Sequence, residues 1–292
     1  MERRFSHMSR SRRALLAARK RTVPIRVLIP NIVTLIGLCV GLTSIRMAVE
    51  GRFDIALAAT VIAALIDGID GRMARLLKVS SRFGAELDSL ADFVNFGVAP
   101  ALVLYLWGFS DARSLGWIVV LMFALAAALR LARFNVADDG PEKPAWQGAY
   151  FVGVPVPAGA ILVLLPLYLE ELGLPKAAMV TPALSLYAGA IAILMVSRIR
   201  TFSGKQIGRR IERDYIAPVI ALVGLFVAVL ATYPYATLTV CCLLYLGCIP
   251  LAMRHYWQTE RRIAAMPAPV LIHDDSPAPA APAEKPPRHL HS

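Results

Sequence analysis

Eight long apolar stretches dominate the sequence and restrict the folds open to it. Each is about 17 to 25 residues long, the length that crosses a bilayer as an α-helix. They lie near 29–48, 55–76, 90–108, 115–135, 153–169, 178–197, 214–232 and 235–253. With 57% hydrophobic residues and a mean hydropathy of +0.59, a chain of 292 residues is too apolar for a soluble domain. The sequence therefore predicts an all-α, polytopic membrane bundle of about eight transmembrane helices.

Basic residues are distributed unevenly along the chain, and their placement predicts its orientation. Lys and Arg number 31 against 20 Asp and Glu, and they are concentrated in the connections 72–82 and 198–213 and on both flanks of the apolar region. Connections between these basic segments are short and weakly charged. Because Lys and Arg beside membrane spans are retained in the cytoplasm, both termini are predicted to be cytoplasmic.

The two ends of the chain differ in composition from the apolar region between them. Residues 1–27 are a basic juxtamembrane segment with a helix-compatible core at 11–20. A nucleic-acid-binding arm and an N-terminal amphipathic surface helix are the alternatives, and the spans that follow directly favour the surface helix, with no nucleic-acid partner. Residues 266–292 are rich in Pro and Ala and are predicted to be a disordered cytoplasmic tail. The membrane domain itself is predicted to occupy 28–254.

Four aspartates at the predicted cytoplasmic ends of the second and third spans are candidates for the chemistry. They are Asp67, Asp70, Asp88 and Asp92. Spacings of three and four residues place each pair on one face of its helix. Ionisable groups at membrane depth normally mark an ion path or a catalytic site, and converging carboxylates repel one another unless divalent cations neutralise them. All-oxygen ligation suits Mg²⁺, Mn²⁺ or Ca²⁺, and a pair of such ions suits displacement at phosphorus.

Two glycines and an arginine accompany the aspartates on the same helical faces: Gly71, Arg75 and Gly84. A glycine allows a nucleotide to approach the backbone, and an arginine can pair with a phosphate through two N–H groups. Alternatively, the glycines serve only to let the two helices pack closely. The sequence leaves this choice open.

The segment from Asp67 to Asp92 resembles the signature of the CDP-alcohol phosphotransferase superfamily, D-x2-D-G-x2-A-R-x8-G-x3-D-x3-D, at every fixed position. The resemblance implies that Asp67, Asp70 and Asp88 bind one divalent cation. A second would be bound by Asp67, Asp88 and Asp92, with Mg²⁺ or Mn²⁺ as the cofactor. Asp92 would also be the general base that accepts the proton of the acceptor hydroxyl as CMP leaves. The residues implied to contact the CDP-linked lipid are Gly71, Arg75, Ser81, Gly84, Asn31 and Thr34.

Four flanking segments are similar to the bacterial membrane-type phosphatidylserine synthases. They are P-N-I-V-T-L-I-G-L-C-V-G-L (30–42), L-D-S-L-A-D-F-V-N-F-G-V-A-P-A (87–101), R-L-A-R-F-N-V (130–136) and F-V-G-V-P-V-P-A-G-A (151–160). The resemblance implies CDP-diacylglycerol and L-serine as substrates and phosphatidylserine as product. It also implies a homodimer among the lipids of the bacterial inner membrane, with the active site facing the cytoplasm.

Three polar residues near the end of the fourth span are candidates for acceptor binding: Arg130, Arg133 and Asn135. A zwitterionic amino acid needs a cation for its carboxylate and a polar acceptor for its ammonium group. Alternatively, the two arginines extend to lipid headgroups, as arginines at span ends commonly do. In the next span, Pro155 and Pro157 are predicted to introduce a kink.

Two other functions compete with serine transfer. Synthases of phosphatidylglycerol phosphate or phosphatidylinositol phosphate share the signature, and their anionic acceptors would favour several cations converging on the site. A cation transporter would also place aspartates in the membrane. Transport sites, however, tend to lie near the midplane on broken helices, whereas these aspartates precede basic residues at a span end.

Overall fold

Helices make up nearly all of the protein in the computed structural model, which describes residues 25–77, 81–109, 112–138, 150–176, 181–202 and 215–264. The helices are α1 (Ile25–Val49), α2 (Phe53–Leu76), α3 (Arg82–Asp92), α4 (Ala99–Gly108), α5 (Arg113–Asp138), α6 (Val156–Val163), α7 (Leu165–Glu171), α8 (Thr181–Val196), α9 (Ile216–Thr232) and α10 (Pro234–Ala264). A π-helical segment, Phe93–Val98, joins α3 to α4 without a break. Two short strands, β1 (Tyr150–Val152) and β2 (Arg200–Phe202), complete the described structure.

Four helical segments of the described chain are long and apolar enough to cross a membrane. They are Leu28–Val49, Arg82–Gly108, Arg113–Val136 and Pro234–Arg262, and two shorter apolar helices are Thr181–Val196 and Ile216–Thr232. This confirms the prediction of a helical, multi-pass membrane protein. The number of eight spans stays a prediction, although helices occupy all eight apolar stretches.

Large apolar side chains cover the outer surface of the bundle. Leu65 is 56% exposed, Leu125 63% and Leu186 77%, on three different helices. Exposed leucines on the outer faces of apolar helices form a surface for lipid tails, because in the hydrocarbon core of a bilayer they contact lipid and not water. The inner faces are closed by large side chains, among them Phe96, Phe123, Tyr168 and Met195.

Buried hydroxyl groups join α1 to α2, the helix that carries Asp67 and Asp70. The hydroxyl of Ser44 donates to the carbonyl oxygen of Ala56 at 2.7 Å and lies 2.9 Å from the hydroxyl of Thr60. Inter-helical hydrogen bonds of this kind hold membrane helices together where the lipid supplies no hydrophobic driving force. The pair fixes the second helix, and with it the first two aspartates, against α1.

The π-helical segment lies directly after Asp92 and packs against α1. Asn95, Phe96 and Gly97 are buried in it. A methyl group at Gly41 of α1 would overlap the side chain of Asn95, so glycine is required for this approach. π-helical turns inserted in α-helices occur frequently at functional sites, and this one fixes the end of α3 that presents Asp92.

A small antiparallel pairing of β1 with β2 places the start of α6. Phe151 is opposite Thr201 in the register. Gly153 follows β1 with a φ of +75°, and a Cβ there would lie 2.5 Å from the carbonyl oxygen of Met195, so only glycine fits. The hydroxyl of Thr201 donates to the carbonyl oxygen of Gly153 at 3.1 Å. The sequence pattern does not indicate these strands.

The predicted kink at Pro155 and Pro157 is wrong. Pro155 is the N-cap of α6 and Pro157 lies in its first turn, where a missing N–H breaks no hydrogen bond. The fifth apolar stretch is instead interrupted at Leu164, between α6 and α7, and Pro166 follows in the first turn of α7. The two prolines therefore start a helix instead of bending one.

Most residues at the two ends of the chain are not among those that the structure describes. The surface helix in 1–27 and the tail in 266–292 lie outside the described residues, apart from the first residues of α1, and they stay predictions. At the other end of the membrane domain, α10 continues to Ala264, beyond the predicted last span. No Gly or Pro interrupts the sequence between Pro250 and Pro267, which explains the longer helix.

Candidate active site

Three of the four predicted aspartates converge in the structure. Asp67, Asp70 and Asp88 each offer one carboxylate oxygen, and these oxygens lie within 4.8 Å of one another. The first two come from the end of α2 and the third from α3, as the helical spacing predicts. Asp70 is only 3% exposed, and its Oδ1 has no hydrogen-bond partner among the described residues. A buried carboxylate oxygen without a donor, beside two further carboxylates, fits a hard divalent cation such as Mg²⁺ or Mn²⁺.

The fourth aspartate, Asp92, lies beside this cluster. Its side chain is within hydrogen-bonding reach of that of Asp67, and the charges of Asp88 and Asp70 also act on it. It is one helical turn beyond Asp88 on α3, so the two share a face. Asp92 therefore lies close to the cluster of three, on the same face of α3 as Asp88.

Asp92 also lines a small cavity next to the cluster. The cavity has a volume of about 170 Å³ and is formed by residues of α3, α5 and the start of α6: Asp92, Arg130, Leu131, Phe134, Pro155, Val156 and Pro157. Arg130 is 6% exposed, and its guanidinium carbon lies 5.9 Å from the centre of the Phe134 ring. A buried arginine and an aspartate on one cavity can hold a small ligand that carries an anionic group and a hydroxyl.

The other two predicted acceptor residues, Arg133 and Asn135, are not among the described residues that line this cavity. Arg133 is exposed, and its Nη1 donates to the carbonyl oxygen of Val196 at the end of α8, at 2.8 Å. The Nδ2 of Asn135 donates to the hydroxyl of Ser89 on α3 at 3.0 Å. These two bonds connect α5 to α8 and to α3.

The two glycines of the motif have different surroundings. A Cβ at Gly71 would meet nothing within 4 Å, so helix packing does not require glycine there and the space is open to a ligand. A Cβ at Gly84 would lie 2.8 Å from Oδ1 of Asn31 and 3.0 Å from Oγ of Ser81. Close packing of α3 on α1 therefore requires glycine at position 84.

The remaining residues assigned to the CDP-linked lipid surround the start of α3 and the end of α2. Ser81 is the N-cap of α3, and its Oγ accepts from the N–H of Gly84 at 2.9 Å. Thr34 is buried on α1, donates to the carbonyl oxygen of Pro30 at 3.1 Å, and interacts with Asp70 through its side chain. Arg75 is exposed in the last turn of α2. Thr34 therefore lies beside the aspartate cluster, at Asp70.

Comparison with protein families identifies the kind of enzyme that this site belongs to. A family model described as CDP-alcohol phosphatidyltransferase matches residues 27–196, which include all four aspartates and Arg130. The chain belongs to this family. A second model, described as CDP-alcohol phosphatidyltransferase 2, matches residues 214–250. Enzymes of the CDP-alcohol phosphatidyltransferase family generally depend on a divalent cation, which agrees with the cluster.

Relatives that are all named for one activity cover most of the chain. The CDP-diacylglycerol–serine O-phosphatidyltransferase of Mycobacterium leprae is 39% identical over 85% of this chain and 80% of its own length. That of Mycobacterium bovis is 38% identical over 88% and 86%, respectively. That of Helicobacter pylori strain 26695 is 33% identical over 75% and 88%. The resemblance inferred from the motifs is thereby confirmed.

The structure also brings to the site residues that the sequence analysis did not include. Leu131, Phe134 and Val156 line the cavity, and Tyr245 of α10 lies within electrostatic range of Arg130. Tyr245 is more than a hundred residues away from Arg130 in the sequence. The sequence signal for Tyr245 is a polar hydroxyl inside an apolar span, which by itself does not indicate a partner.

Proposed function

We propose that this protein is a phosphatidylserine synthase, which transfers the phosphatidyl group of CDP-diacylglycerol to the hydroxyl of L-serine and releases CMP. The activity for which the relatives are named supports this reaction, since they share 33 to 39% of residues over most of the chain. The family match at the aspartate motif supports the transfer chemistry. The observation that carries the choice of acceptor is the cavity beside Asp92 with Arg130 in its wall.

The size and charge of the cavity favour serine over the larger anionic acceptors. A volume of about 170 Å³ is smaller than the roughly 300–1,000 Å³ of pockets for drug-sized ligands. Among the described residues that line it, Arg130 is the one cation. A single arginine matches one carboxylate, whereas the phosphate of glycerol phosphate or inositol phosphate would favour several cations. The same arginine beside the cluster argues against a cation transporter, because it would repel the transported ion.

In this proposal Asp67, Asp70 and Asp88 hold one divalent cation, and Asp67, Asp88 and Asp92 hold a second. The support is the convergence of the first three carboxylates and the contact of Asp92 with Asp67. Bound Mg²⁺ or Mn²⁺ would neutralise the diphosphate and make CMP a better leaving group. Around the cluster, the residues that we propose contact the CDP moiety are Gly71, Arg75, Ser81, Gly84, Asn31 and Thr34.

Asp92 is proposed as the general base. With the serine carboxylate paired to Arg130, the hydroxyl of serine faces Asp92 across the same cavity. The serine oxygen forms a bond to the phosphorus of the lipid phosphate, its proton passes to Asp92, and the bond from phosphorus to the CMP oxygen breaks. Arg133 and Asn135 support the acceptor site by fixing α5 against α8 and α3.

The membrane arrangement is proposed on the distribution of charge. We place eight spans in the bacterial inner membrane, with the active site and both termini in the cytoplasm, because the aspartate cluster adjoins the basic residues Arg72, Arg75 and Arg82. The membrane domain is proposed to extend over 28–254, between the basic segment 1–27 and the tail 266–292. A homodimer is proposed from the resemblance to the family.

Acceptor preference tests the proposed reaction. Purified protein with CDP-diacylglycerol and Mn²⁺ is expected to release CMP when serine is added and to incorporate radiolabelled serine into lipid. Glycerol 3-phosphate and inositol phosphate should give no labelled lipid. Labelling with either of these and none with serine would contradict the proposal. A chelator should stop CMP release, and added Mn²⁺ should restore it.

Replacement of Arg130 tests the acceptor site specifically. Arg130→Gln is expected to raise the KM for serine roughly 10- to 100-fold, the usual effect of losing hydrogen bonds to a charged group. The KM for CDP-diacylglycerol should stay unchanged, because Arg130 faces the cavity beyond the cluster. Arg113→Gln, an exposed arginine at the other end of the same helix, is the matched control. An unchanged KM for serine in Arg130→Gln would rule out this site.

A further inference from the structure

Two buried polar atoms, one of them on a residue that lines the acceptor cavity, have no hydrogen-bond partner among the described residues. They are Nε of Arg130 and the hydroxyl oxygen of Tyr245. A buried polar group without a hydrogen-bond partner destabilises a protein, so both atoms need a structural or functional explanation. The guanidinium of Arg130 and the ring of Tyr245 are also within electrostatic range of each other.

Tyr245 reaches this region from the last helix. α10 packs against β2, and the hydroxyl of Tyr245 lies near that of Thr201 without forming a hydrogen bond to it. That hydroxyl already donates its proton to the carbonyl oxygen of Gly153 at 3.1 Å, so it can only accept from Tyr245. Gly153 precedes Pro155, which lines the acceptor cavity, by two residues. A row of polar groups thus connects α10, through β2, to the cavity wall.

We propose that Tyr245 is a positioning residue of the acceptor site, which acts through Arg130 and tunes the site for an alcohol that carries a carboxylate. This inference rests on the proposed function. When serine is bound, Arg130 Nε–H donates to the oxygen of Tyr245, and the hydroxyl of Tyr245 donates to Oγ of Thr201. Each donor in the row from Arg130 to the carbonyl of Gly153 then has an acceptor.

The consequence for the substrate follows from the geometry of a guanidinium group. With Nε–H held by Tyr245, the two terminal nitrogens of Arg130 are free to face the cavity and to bind both oxygens of one carboxylate. Without the phenol oxygen, the side chain has no fixed orientation about its last bonds, and the pairing with serine weakens. α10 lies outside residues 27–196, so this contribution comes from beyond the match to the first family model and within the second match, 214–250.

Removal of the single hydroxyl tests the proposal. Tyr245→Phe is expected to raise the KM for serine roughly tenfold while kcat and the KM for CDP-diacylglycerol stay at their wild-type values. The matched control is Tyr168→Phe, which removes another buried hydroxyl without a partner, from α7. A wild-type KM for serine in Tyr245→Phe, or a parallel change in the KM of both substrates, would overturn the positioning role.

A second comparison tests whether Tyr245 acts through Arg130. In the Arg130→Gln background, Tyr245→Phe should cause no further rise in the KM for serine, whereas a full additional tenfold rise would contradict the proposal. If Tyr245→Phe does not fold, Thr201→Ser and Thr201→Val replace it: serine keeps the hydroxyl and should keep the KM, and valine should raise it. An equal KM in both would overturn the proposal. Failure of the wild type to use serine at all would instead refute the proposed function.

Discussion

Asp92→Asn is expected to slow phosphatidyl transfer by about 10²- to 10⁴-fold, the range by which a general base accelerates a reaction. Asparagine keeps the shape of the side chain but cannot accept the proton of the serine hydroxyl. Because Asp67, Asp70 and Asp88 stay in place, the protein should still bind CDP-diacylglycerol. Single-turnover release of CMP measures the loss, and the change in melting temperature on adding CDP-diacylglycerol and Mn²⁺ measures the binding.

The control for this variant is Asp54→Asn. Asp54 is an exposed aspartate in the first turn of α2, at the other end of the helix that carries Asp67 and Asp70. The Asp54→Asn protein should transfer phosphatidyl groups at the wild-type rate. Transfer by Asp92→Asn at the rate of this control would show that Asp92 does not accept the proton of the serine hydroxyl.

Asp70→Asn is expected to reduce activity by more than about 100-fold, because the loss of even an outer-shell partner of a metal typically costs 10- to 100-fold. Asp67→Asn and Asp88→Asn should behave alike. Among the three, Asp70 is the most buried and has the oxygen without a partner. The initial rate as a function of Mn²⁺ concentration should show a weaker apparent affinity for the cation in all three variants.

The melting temperature tests the same site independently of activity, because its change on mutation is expected to reverse direction when Mn²⁺ is added. In the presence of a chelator, Asp70→Asn should melt at a higher temperature than the wild type, since it removes one charge from a set of mutually repelling carboxylates. In saturating Mn²⁺ the order should reverse, because the wild type gains more from binding the cation. The same order of melting temperatures under both conditions would contradict a cation site at these aspartates.

The aspartate site shows how much the sequence could predict. Spacings of three and four residues place Asp67 with Asp70, and Asp88 with Asp92, on faces of two consecutive helices, and a short connection between the helices makes the faces meet. This reasoning is local, and the structure confirms its geometric part for Asp67, Asp70 and Asp88. The eight apolar stretches likewise become helices because hydrophobic length is a local property of the sequence.

Features that depend on contacts between residues far apart in the sequence could not be predicted from it. The pairing of β1 with β2 joins segments about fifty residues apart, and neither has the alternating pattern of an exposed strand. The sequence predicts Pro155 and Pro157 inside a span, but α6 begins directly after Pro155, which follows β1 by three residues. Tyr245 has no motif, and only the packing of α10 against β2 brings it toward Arg130.

One measurement tests the central claim, that the aspartate cluster and the Arg130 cavity form a single site for metal-assisted transfer to serine. It is an experimental structure of the Asp92→Asn protein with Mn²⁺, CDP-diacylglycerol and serine, in which the slowed reaction preserves both substrates. We expect anomalous scattering from Mn²⁺ between Asp67, Asp70 and Asp88, and density for serine with its carboxylate on Arg130 and its hydroxyl toward residue 92. Mn²⁺ bound away from these aspartates, or serine bound outside the cavity, would contradict the account.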